Sequence, residues 1–359
     1  MSTEFVTQML PIRVVFGIGT LDHLGDEAAE LGLDRVLVIA SPSNAAAAQR
    51  AVALLGRRCA GRFDDVRQHV PETLVSDAVA AAQQADADGL VTVGGGSTTG
   101  LGKAVVHDLG LPLVAVPTTY AGSEMTAIFG VTGEHKRAAH DPRVAPQVVI
   151  YDPALTTSLP PSLSALSGGN ALAHAVEATW MPQVSPTITH LAAEAVRALA
   201  DALPRVVAAP DDLAARSDAL YGAHVAALVL SWAGVGLHHK LCHVLGGTYG
   251  LDHAAAHTVL LPHVTAFVAP AVPDTLAAIA RALGTNTAAA GLHRLAQRLG
   301  APTDLRTLGM PEESLDTAAQ AAAASGGYAP RPVGVQDLRL LLDDAFAGRT
   351  PRSWETAPA

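Results

Sequence analysis

One short stretch of the chain, GLHHKLCHVLGGTYGLDHAAAH from Gly236 to His257, contains five histidines. Histidine is the side chain whose charge changes near neutral pH, and it is also the commonest metal ligand. A cluster of this kind indicates either metal coordination or proton transfer. The spacing of the histidines and the rest of the chain have to distinguish between these two chemistries.

The spacing within the stretch predicts that several of these side chains meet. His239 and His243 are four residues apart on a predicted helix, so they share one face of it. His253 follows after the turn-like sequence GGTYG and can fold back towards them. Upstream, SGGNALAHAVEA places Asn170 and His174 on one helical face by the same spacing. Three of these side chains with a fourth oxygen ligand could hold a divalent metal. A single helical histidine, by contrast, is more often a surface or core group.

A second candidate is the glycine-rich turn GGGSTTGLGK, from Gly94 to Lys103. It follows an apolar strand, Gly89 to Val93, and leads into a helical pattern. Glycines let the backbone approach a pyrophosphate closely, and the first free amides of a helix attract its charge. The turn is neither the dinucleotide fingerprint G-x-G-x-x-G nor a Walker A loop. Taken alone, it is equally consistent with a tight structural turn.

A second loop favours nucleotide binding. The apolar strand Val114 to Val116 ends in PTTYAGSE, a run of hydroxyl and small side chains. In open α/β sheets, ligands bind beyond the carboxyl ends of the strands, where both loops fall. The predicted cofactor-binding residues in the two loops are Gly94, Gly95, Gly96, Ser97, Thr98, Thr118, Thr119 and Ser123.

The sequence leaves the choice between NADH and NADPH open. NAD sites of this general type often carry an acid after a strand, which holds the ribose 2'-hydroxyl. Here the strand Arg35 to Ala40 is followed by Ser41, Pro42, Ser43 and Asn44. No carboxylate there would repel a 2'-phosphate. Ser41 and Asn44 are therefore included among the predicted nucleotide contacts.

The elements that must position these loops differ between the two halves of the chain. Up to about residue 160, short β-branched runs alternate with Ala-rich helical patterns, which predicts an α/β domain with a doubly wound parallel sheet, residues 1–160. After that the strand signal disappears, and Ala/Leu-rich segments broken by Pro and Gly predict an all-α domain, residues 161–359. The four predicted strands are Arg35 to Ala40, Gly89 to Gly96, Leu111 to Thr119 and Gln147 to Asp152.

Composition excludes several classes of function. The formal net charge is -10 and the sequence has no Lys/Arg block, so the basic footprint of a nucleic-acid-binding protein is missing. The two cysteines, Cys59 and Cys242, cannot make a disulfide framework and suit a reducing cytoplasm. The N-terminus does not read as a signal peptide, and the apolar run Val225 to Leu237 is too short to span a bilayer. We therefore expect a cytoplasmic protein.

Several motifs in fixed order resemble the iron-containing (group III) alcohol dehydrogenase superfamily. The similarity spans nearly the whole chain, from VVFGIGTLDHLG at Val14 to LLPHV ending at Val264. The other motifs are GGGS after a strand, PTT-x-x-GSE, DPALT, N-A-x-x-H-x-x-E beginning at Asn170, and H-x-x-x-H-x-L-G beginning at His239. The resemblance implies a dehydroquinate synthase-like fold, a nicotinamide cofactor and a homodimer, and it adds Leu155 and Lys136 to the predicted cofactor contacts. An exposed loop position is the alternative explanation for Lys136.

The resemblance also implies a metal site, and this chain departs from it at one position. In the superfamily an Asp and three His hold the metal, which by position are Asn170, His174, His239 and His253. An amide carries no charge and is a poorer ligand than a carboxylate for a divalent cation. The maleylacetate reductase branch shows the same replacement, together with PTTYAGSEMT and a GLHHKxCHVLGG block, both matched here. That branch is understood to work without a metal, so we expect no metal; zinc or iron at these four residues is the alternative.

This branch reduces the olefinic double bond of maleylacetate, a dicarboxylate, with NAD(P)H to give 3-oxoadipate in aromatic-compound degradation. Hydride delivery builds an enolate, which donor groups can stabilise and protonate without a metal. The predicted catalytic residues are His239, His243 and His253 for the enolate, Lys240 and Tyr120 for the carboxylates, and Asn170 and His174 beside them. His238 and His257 stay unassigned.

Three other functions compete with this one. A metal-dependent alcohol or polyol dehydrogenase of the same fold would still use Asn170 as a ligand through its amide oxygen. A synthase that uses NAD transiently, as dehydroquinate synthases do, requires intact metal ligands, so Asn170 counts against it. A catalytically silent nucleotide-binding protein is disfavoured because the histidine block is retained.

Overall fold

The computed structural model describes residues 5–6, 8–67, 70–133, 136–182 and 184–355. The chain divides into two compact units. The sheet unit comprises Met9–Leu159 and Asp211–Leu220, and the helical unit comprises Met1–Gln8, Pro160–Pro210 and Tyr221–Ala359. The units interleave along the chain, whereas the sequence analysis divides it once, at residue 160. Compact units need not coincide with functional domains, so that division stays a prediction.

The sheet unit contains a six-stranded, all-parallel sheet with strand order β1-β8-β5-β4-β2-β3. The four predicted strands are present, and the α/β fold class is confirmed. β6 and β7 form a separate antiparallel hairpin. The strands are β1 Arg13–Phe16, β2 Val36–Ala40, β3 Cys59–Phe63, β4 Gly89–Gly94, β5 Leu113–Pro117, β6 Ile128–Thr132, β7 Lys136–His140 and β8 Val148–Tyr151.

Burial explains which strands could be predicted from the sequence. Every residue of β2, β4, β5 and β8 is buried, so these strands are continuous apolar runs. β1 is largely exposed and β3 is half-buried, so neither carries such a run. Both lie at the ends of the sheet, where one long edge has no neighbouring strand in the sheet. The helices of this unit are α1 Leu24–Glu30, α2 Ala45–Leu55, α3 Glu72–Gln84 and α4 Gly96–Leu109.

Strand order brings the predicted nucleotide loops together. β2 pairs with both β3 and β4, and β4 pairs with β5. The chain therefore changes direction across the sheet between β2 and β4, and ligands of open α/β sheets bind at such switch points. The registers Ala40 to Val93 and Gly94 to Pro117 place the carboxyl ends of β2, β4 and β5 side by side.

The helical unit has no strand among its described residues, which confirms the predicted all-helical second half. Its helices, including α7, which starts within the sheet unit, are α5 Pro161–Ala178, α6 Pro186–Ala208, α7 Leu213–Ala233, α8 Leu237–Tyr249, α9 His253–Val268, α10 Pro273–Ala282, α11 Ala288–Arg298, α12 Leu315–Ala324 and α13 Val335–Phe346. Two glycines allow α5 to pack closely. A Cβ on Gly168 would lie 2.5 Å from a Leu203 methyl on α6, and one on Gly169 would lie 2.2 Å from Thr258 Oγ1 on α9. The tight packing fixes where the polar face of α5 points.

The apolar run Val225 to Leu237 is not one helix but contains the end of α7 and the start of α8. α7 ends at Ala233, and Gly234 has a φ of +74°, a left-handed conformation typical of a residue just beyond a helix. α8 then begins at Leu237, so the first two histidines of the block lie in the first turn of a new helix. The sequence does not reveal this break, because the glycines within the apolar run Val225 to Leu237 add no polar side chain.

Helix α9 was not predicted as a separate element. Asp252 caps its N-terminus by accepting a hydrogen bond from the backbone N–H of Ala255 at 2.9 Å, and Pro262 lies inside the helix. The segment His253–Ala271 is long and apolar enough to meet a membrane-span criterion, but 78% of it is buried within the fold. Such burial is typical of a core helix.

Candidate active site

The glycine-rich turn connects β4 directly to α4, which begins at Gly96. Gly94 has a φ of +158°, and a Cβ there would lie 2.3 Å from Thr98 Oγ1. A Cβ on Gly95 would lie 2.9 Å from the Thr119 methyl carbon. Gly95 caps the helix without a side-chain acceptor, so the first backbone N–H groups of α4 are left to a ligand. The turn therefore has the geometry of an anion-binding helix N-terminus.

The second predicted loop is joined to this turn. The backbone N–H of Thr118 donates to the carbonyl of Gly94 at 3.1 Å. Thr118 is buried, and Thr119 and Ser123 are half-buried. At the end of β2, the Asn44 side-chain amide donates to Ser41 Oγ at 2.7 Å. The structure thus brings the predicted residues of three strand ends to one edge of the sheet.

Three other predicted residues of the sheet unit lie elsewhere. Tyr120 is completely buried, and its hydroxyl oxygen accepts a hydrogen bond from Arg216 Nη1 at 3.2 Å. Leu155 lies in the short 3-10 helix after β8 and packs against the apolar core of the sheet. Lys136 lies in β7, and its side chain falls outside the described part. Their roles towards cofactor and substrate stay predictions.

Histidines from α5, α8 and α9 form one cluster in the helical unit. The rings of His174 and His239 stack with their centroids 5.2 Å apart. His257 lies 4.6 Å from His239 and 4.4 Å from His253, and His253 stacks on His243 at 5.7 Å. The predicted histidines therefore meet, and His257, which the sequence left unassigned, lies at the centre of the group.

Glu177 organises this cluster, and the sequence analysis did not select it as a site residue. Its carboxylate accepts a hydrogen bond from His239 Nδ1 and another, at 2.6 Å, from the backbone N–H of His238 at the start of α8. A carboxylate on Nδ1 fixes the tautomer and the orientation of the ring. The signal was present, because Glu177 lies three residues after His174 and closes the N-A-x-x-H-x-x-E motif.

Burial decides the charge of this cluster. The pKa of His174 lies well below its usual value, first because of burial and then because of neighbouring imidazoles. The pKa of His257 is lowered well below the ordinary value by the same causes, and burial lowers that of His238 to about 3. Burial alone would raise the pKa of Glu177, but its contacts with His239 outweigh this and hold it below the usual range. One carboxylate therefore lies in a cluster in which His174, His238 and His257 are neutral near pH 7.

Five buried polar atoms of the cluster, with His238 included, have no hydrogen-bond partner within the described part of the protein. They are Asn170 Oδ1, His174 Nδ1, His238 Nδ1, His239 Nε2 and His257 Nε2. Buried polar groups in native proteins are nearly always paired, so such a concentration makes this place a candidate ligand site. The atoms come from all three helices of the cluster.

The remaining predicted residues lie at the margin. His243 is exposed, His253 and Lys240 are half-buried, and the stem of Lys240 packs against Gly327. His257 also takes part in a second group: His238 Nε2 and His257 Nδ1 are 2.8 Å apart, and Cys242 Sγ lies 3.8 Å from His238 Nε2. These three side chains are fully buried and close enough together to be considered as metal ligands. The two nitrogens, however, are at hydrogen-bond distance, whereas two ligands of a tetrahedral zinc are about 3.3 Å apart.

Comparisons with known proteins cover nearly the whole chain. The family model described as iron-containing alcohol dehydrogenase matches residues 11–153, and the model for the C-terminal part of the Fe-containing alcohol dehydrogenase family matches residues 164–346. A maleylacetate reductase of Burkholderia cepacia is 46% identical over 340 residues, which cover 94% of this chain and 97% of that protein. Maleylacetate reductase 2 of Cupriavidus pinatubonensis is 47% identical over a match that covers 97% of this chain and 98% of that protein.

The solved structures give the same result. A maleylacetate reductase from Agrobacterium tumefaciens has a TM-score of 0.94 to this chain at 44% identity, covering 98% of this chain and 100% of the other. A protein described as a putative alcohol dehydrogenase from Ralstonia eutropha has a TM-score of 0.96 at 48% identity, with the same coverage. Sequence and structure comparisons thus point to one group of oxidoreductases.

Proposed function

The chain belongs to the iron-containing alcohol dehydrogenase family and is an oxidoreductase, and from this premise we propose that it reduces maleylacetate to 3-oxoadipate with NADH or NADPH. The observation that carries the proposal is the near-complete coverage of maleylacetate reductases at 46 and 47% identity. Asn170 at the first position of the family's ligand set supports it as well. The proposed substrate is a small dicarboxylate.

The sheet unit would hold the nucleotide. The free N–H groups at the start of α4 suit a pyrophosphate, and the hydroxyls of Thr118, Thr119 and Ser123 lie on the adjoining loop. When bound, the reduced nicotinamide supplies the hydride. The ends of β2, β4 and β5 give this proposal its physical support, because they meet at the switch point of the sheet. The choice between NADH and NADPH stays open.

The histidine cluster would manage the charge and the proton. Hydride addition to the carbon far from the ketone leaves an enolate, which needs hydrogen-bond donors at its oxygen and a proton at carbon. Glu177 on Nδ1 directs His239 Nε2 towards the ligand and stabilises the positive charge of the ring when that nitrogen also holds a proton. His239 would therefore deliver the proton. The Asn170 amide and His174 would hydrogen-bond the substrate.

We further propose that the reaction needs no metal. Iron(II) oxygenase-type sites combine two histidines with a carboxylate, and iron, a borderline ion, favours such anionic ligands. Asn170, His174, His239 and His253 offer three imidazoles and an amide, all without formal charge in the forms that would bind a metal. Glu177, the carboxylate of this cluster, already accepts hydrogen bonds from His239 and from the backbone of His238. The donor set therefore does not fit iron, and no step of the proposed reaction uses a metal ion.

The test follows NAD(P)H absorbance with maleylacetate after chelator treatment and again with added zinc or iron. We expect full activity in the stripped enzyme and no increase with metal, because the proton and the oxygen contacts come from side chains. Activity that appears only after metal addition would instead support a metal-dependent alcohol dehydrogenase, which should then oxidise alcohols at alkaline pH. NAD(P)H binding without turnover of either substrate class would contradict both functions.

We also propose a cytoplasmic homodimer. Both cysteines are free, which suits a reducing compartment. β1 is the terminal strand of the sheet, and Val14 on it and Ile18 just after it are 36% and 58% exposed. An exposed apolar edge strand offers backbone N–H and C=O groups to a second copy. We expect sedimentation to show a dimer and the variant Val14→Lys/Ile18→Lys to shift it towards monomer; a monomeric parent protein would refute this.

A further inference from the structure

Lys103 is a fully buried lysine that neither the sequence analysis nor the proposed mechanism uses. It lies in α4, the helix whose first turn is the glycine-rich turn. Its ammonium nitrogen contacts the carbonyl oxygen of Ser123, Thr126 Oγ1 at 3.0 Å and the carbonyl oxygen of Ile128 at 2.9 Å. All three partners belong to the segment that follows β5. A buried lysine without a carboxylate in hydrogen-bond contact is uncommon, so the presence of Lys103 in the core calls for an explanation.

The partners match an ammonium group. The hydroxyl of Thr126 donates to the carbonyl of Ser123 at 3.0 Å, so its oxygen is free to accept from Lys103. Two backbone carbonyls and two hydroxyls, those of Thr126 and of Ser123 at 3.3 Å, thus surround Nζ. An ammonium has three N–H donors and a neutral amine has two, so the charged form satisfies more of these oxygens. Burial lowers the pKa of Lys103 to about 7, and the charge of Glu124 raises it in part.

Lys103 fixes the far end of the second nucleotide loop. The near end is already attached to the glycine-rich turn through Thr118 N–H and Gly94. Ser123 and Ile128 are held by Lys103, which belongs to the same helix as that turn. The loop from Pro117 to Ile128 is therefore held by the end of β4 on one side and by α4 on the other. Thr119, one of the predicted nucleotide contacts, lies between these two attachments, and Ser123, another, is held directly by Lys103.

The same side chain places a positive charge inside the unit that carries the phosphate site. From Gly96 to Lys103 the helix advances about 10 Å. A buried charge is screened less than an exposed one, so its field extends to an anion over that separation. At an effective protein dielectric, a unit charge about 10 Å from a phosphate changes affinity by about tenfold.

We propose that Lys103 is a positioning residue of the nucleotide site, which holds the loop Pro117 to Ile128 in its binding geometry and favours the cofactor's pyrophosphate through its charge. The inference rests on nucleotide binding by the sheet unit, which is part of the proposed function. If Lys103 only filled a position in the core, its replacement would not weaken the binding of charged ligands more than that of uncharged ones.

The experiment compares Lys103→Met with the parent enzyme by calorimetry, using NADH, ADP and adenosine. We expect NADH and ADP to bind about tenfold more weakly. Adenosine, which has no phosphate, should bind less than twofold more weakly. In turnover, KM for NADH should rise, while kcat at saturating NADH and KM for maleylacetate stay unchanged. Equal losses for adenosine and ADP, or a lower melting temperature with unchanged NADH affinity, would overturn the proposal.

A second variant covers the case in which Lys103→Met does not fold. Thr126→Val keeps the ammonium and its volume but removes one acceptor, so we expect a folded protein with NADH binding weakened by about two- to threefold. Thr157→Val, on the same unit but outside the loop, is the matched control and should bind NADH like the parent. Unchanged NADH affinity in Thr126→Val would also overturn the proposal. Failure of the parent enzyme to bind NADH would refute the proposed function, which is a separate outcome.

Discussion

Replacing Glu177 by Gln is expected to lower turnover of maleylacetate by about 10²- to 10⁴-fold. The glutamine oxygen can still accept from the backbone N–H of His238, which keeps α8 in place. Its NH₂ group then faces His239 Nδ1, which must become an acceptor instead of a donor. The ring is left as the opposite tautomer, with its proton on Nε2, and no carboxylate stabilises its charged form.

The measurement is a pair of titrations on folded protein. NADH affinity should be unchanged in Glu177→Gln, because the predicted nucleotide contacts belong to the sheet unit. Glu194→Gln is the matched control: Glu194 lies on α6 of the same unit and makes a surface ion pair with Arg197. It should turn over like the parent enzyme, since surface pairs contribute little. Parent-like turnover in Glu177→Gln would remove the Glu177 and His239 pair from the mechanism.

The fold was predictable where one physical signal dominated. The strands Val36–Ala40 and Leu113–Pro117 are buried on both faces, so their sequences are continuous apolar runs. β1 and the hairpin of β6 and β7 carry no such signal, because their pairing depends on neighbours that are distant in sequence or on a turn. The break between α7 and α8 was missed for a related reason. It depends on the left-handed backbone of Gly234, which periodicity does not detect.

The site was predictable from residue type and spacing, but not from burial. The pairs Asn170 with His174 and His239 with His243 were selected because helical spacing puts each pair on one face, and His253 because the turn before it lets it fold back towards them. Lys103, Glu177 and His257 were not selected, since nothing in the sequence says that each is fully or almost fully buried. Burial matters because a buried carboxylate must have hydrogen-bond partners. The partners of Glu177 are the catalytic candidate His239 and the first turn of α8, the helix that carries His239.

We expect Asn170→Asp to create a metal site, since the proposed reaction of the parent enzyme uses no metal. Asn170 Oδ1 is buried and has no partner among the described residues, so an aspartate of the same shape places an anionic oxygen at that point. The set then becomes a carboxylate with His174, His239 and His253, the kind of donor set that binds divalent first-row metals. Without a metal, the buried negative charge should destabilise the fold, because no cation pairs with it.

Thermal unfolding of chelator-treated protein with and without zinc tests this directly. A ligand that binds the native state at 100 times its Kd stabilises it by about 2.7 kcal/mol, so the melting temperature of Asn170→Asp should rise with zinc concentration. The exposed Asn286→Asp is the matched control and should respond like the parent. Maleylacetate turnover should fall in the metal-loaded variant, since the metal would occupy the nitrogen of His239 that delivers the proton. If the parent gained the same stability from zinc, Asn170 would not be what separates this chain from its metal-binding relatives, and the metal-free mechanism would have to be abandoned.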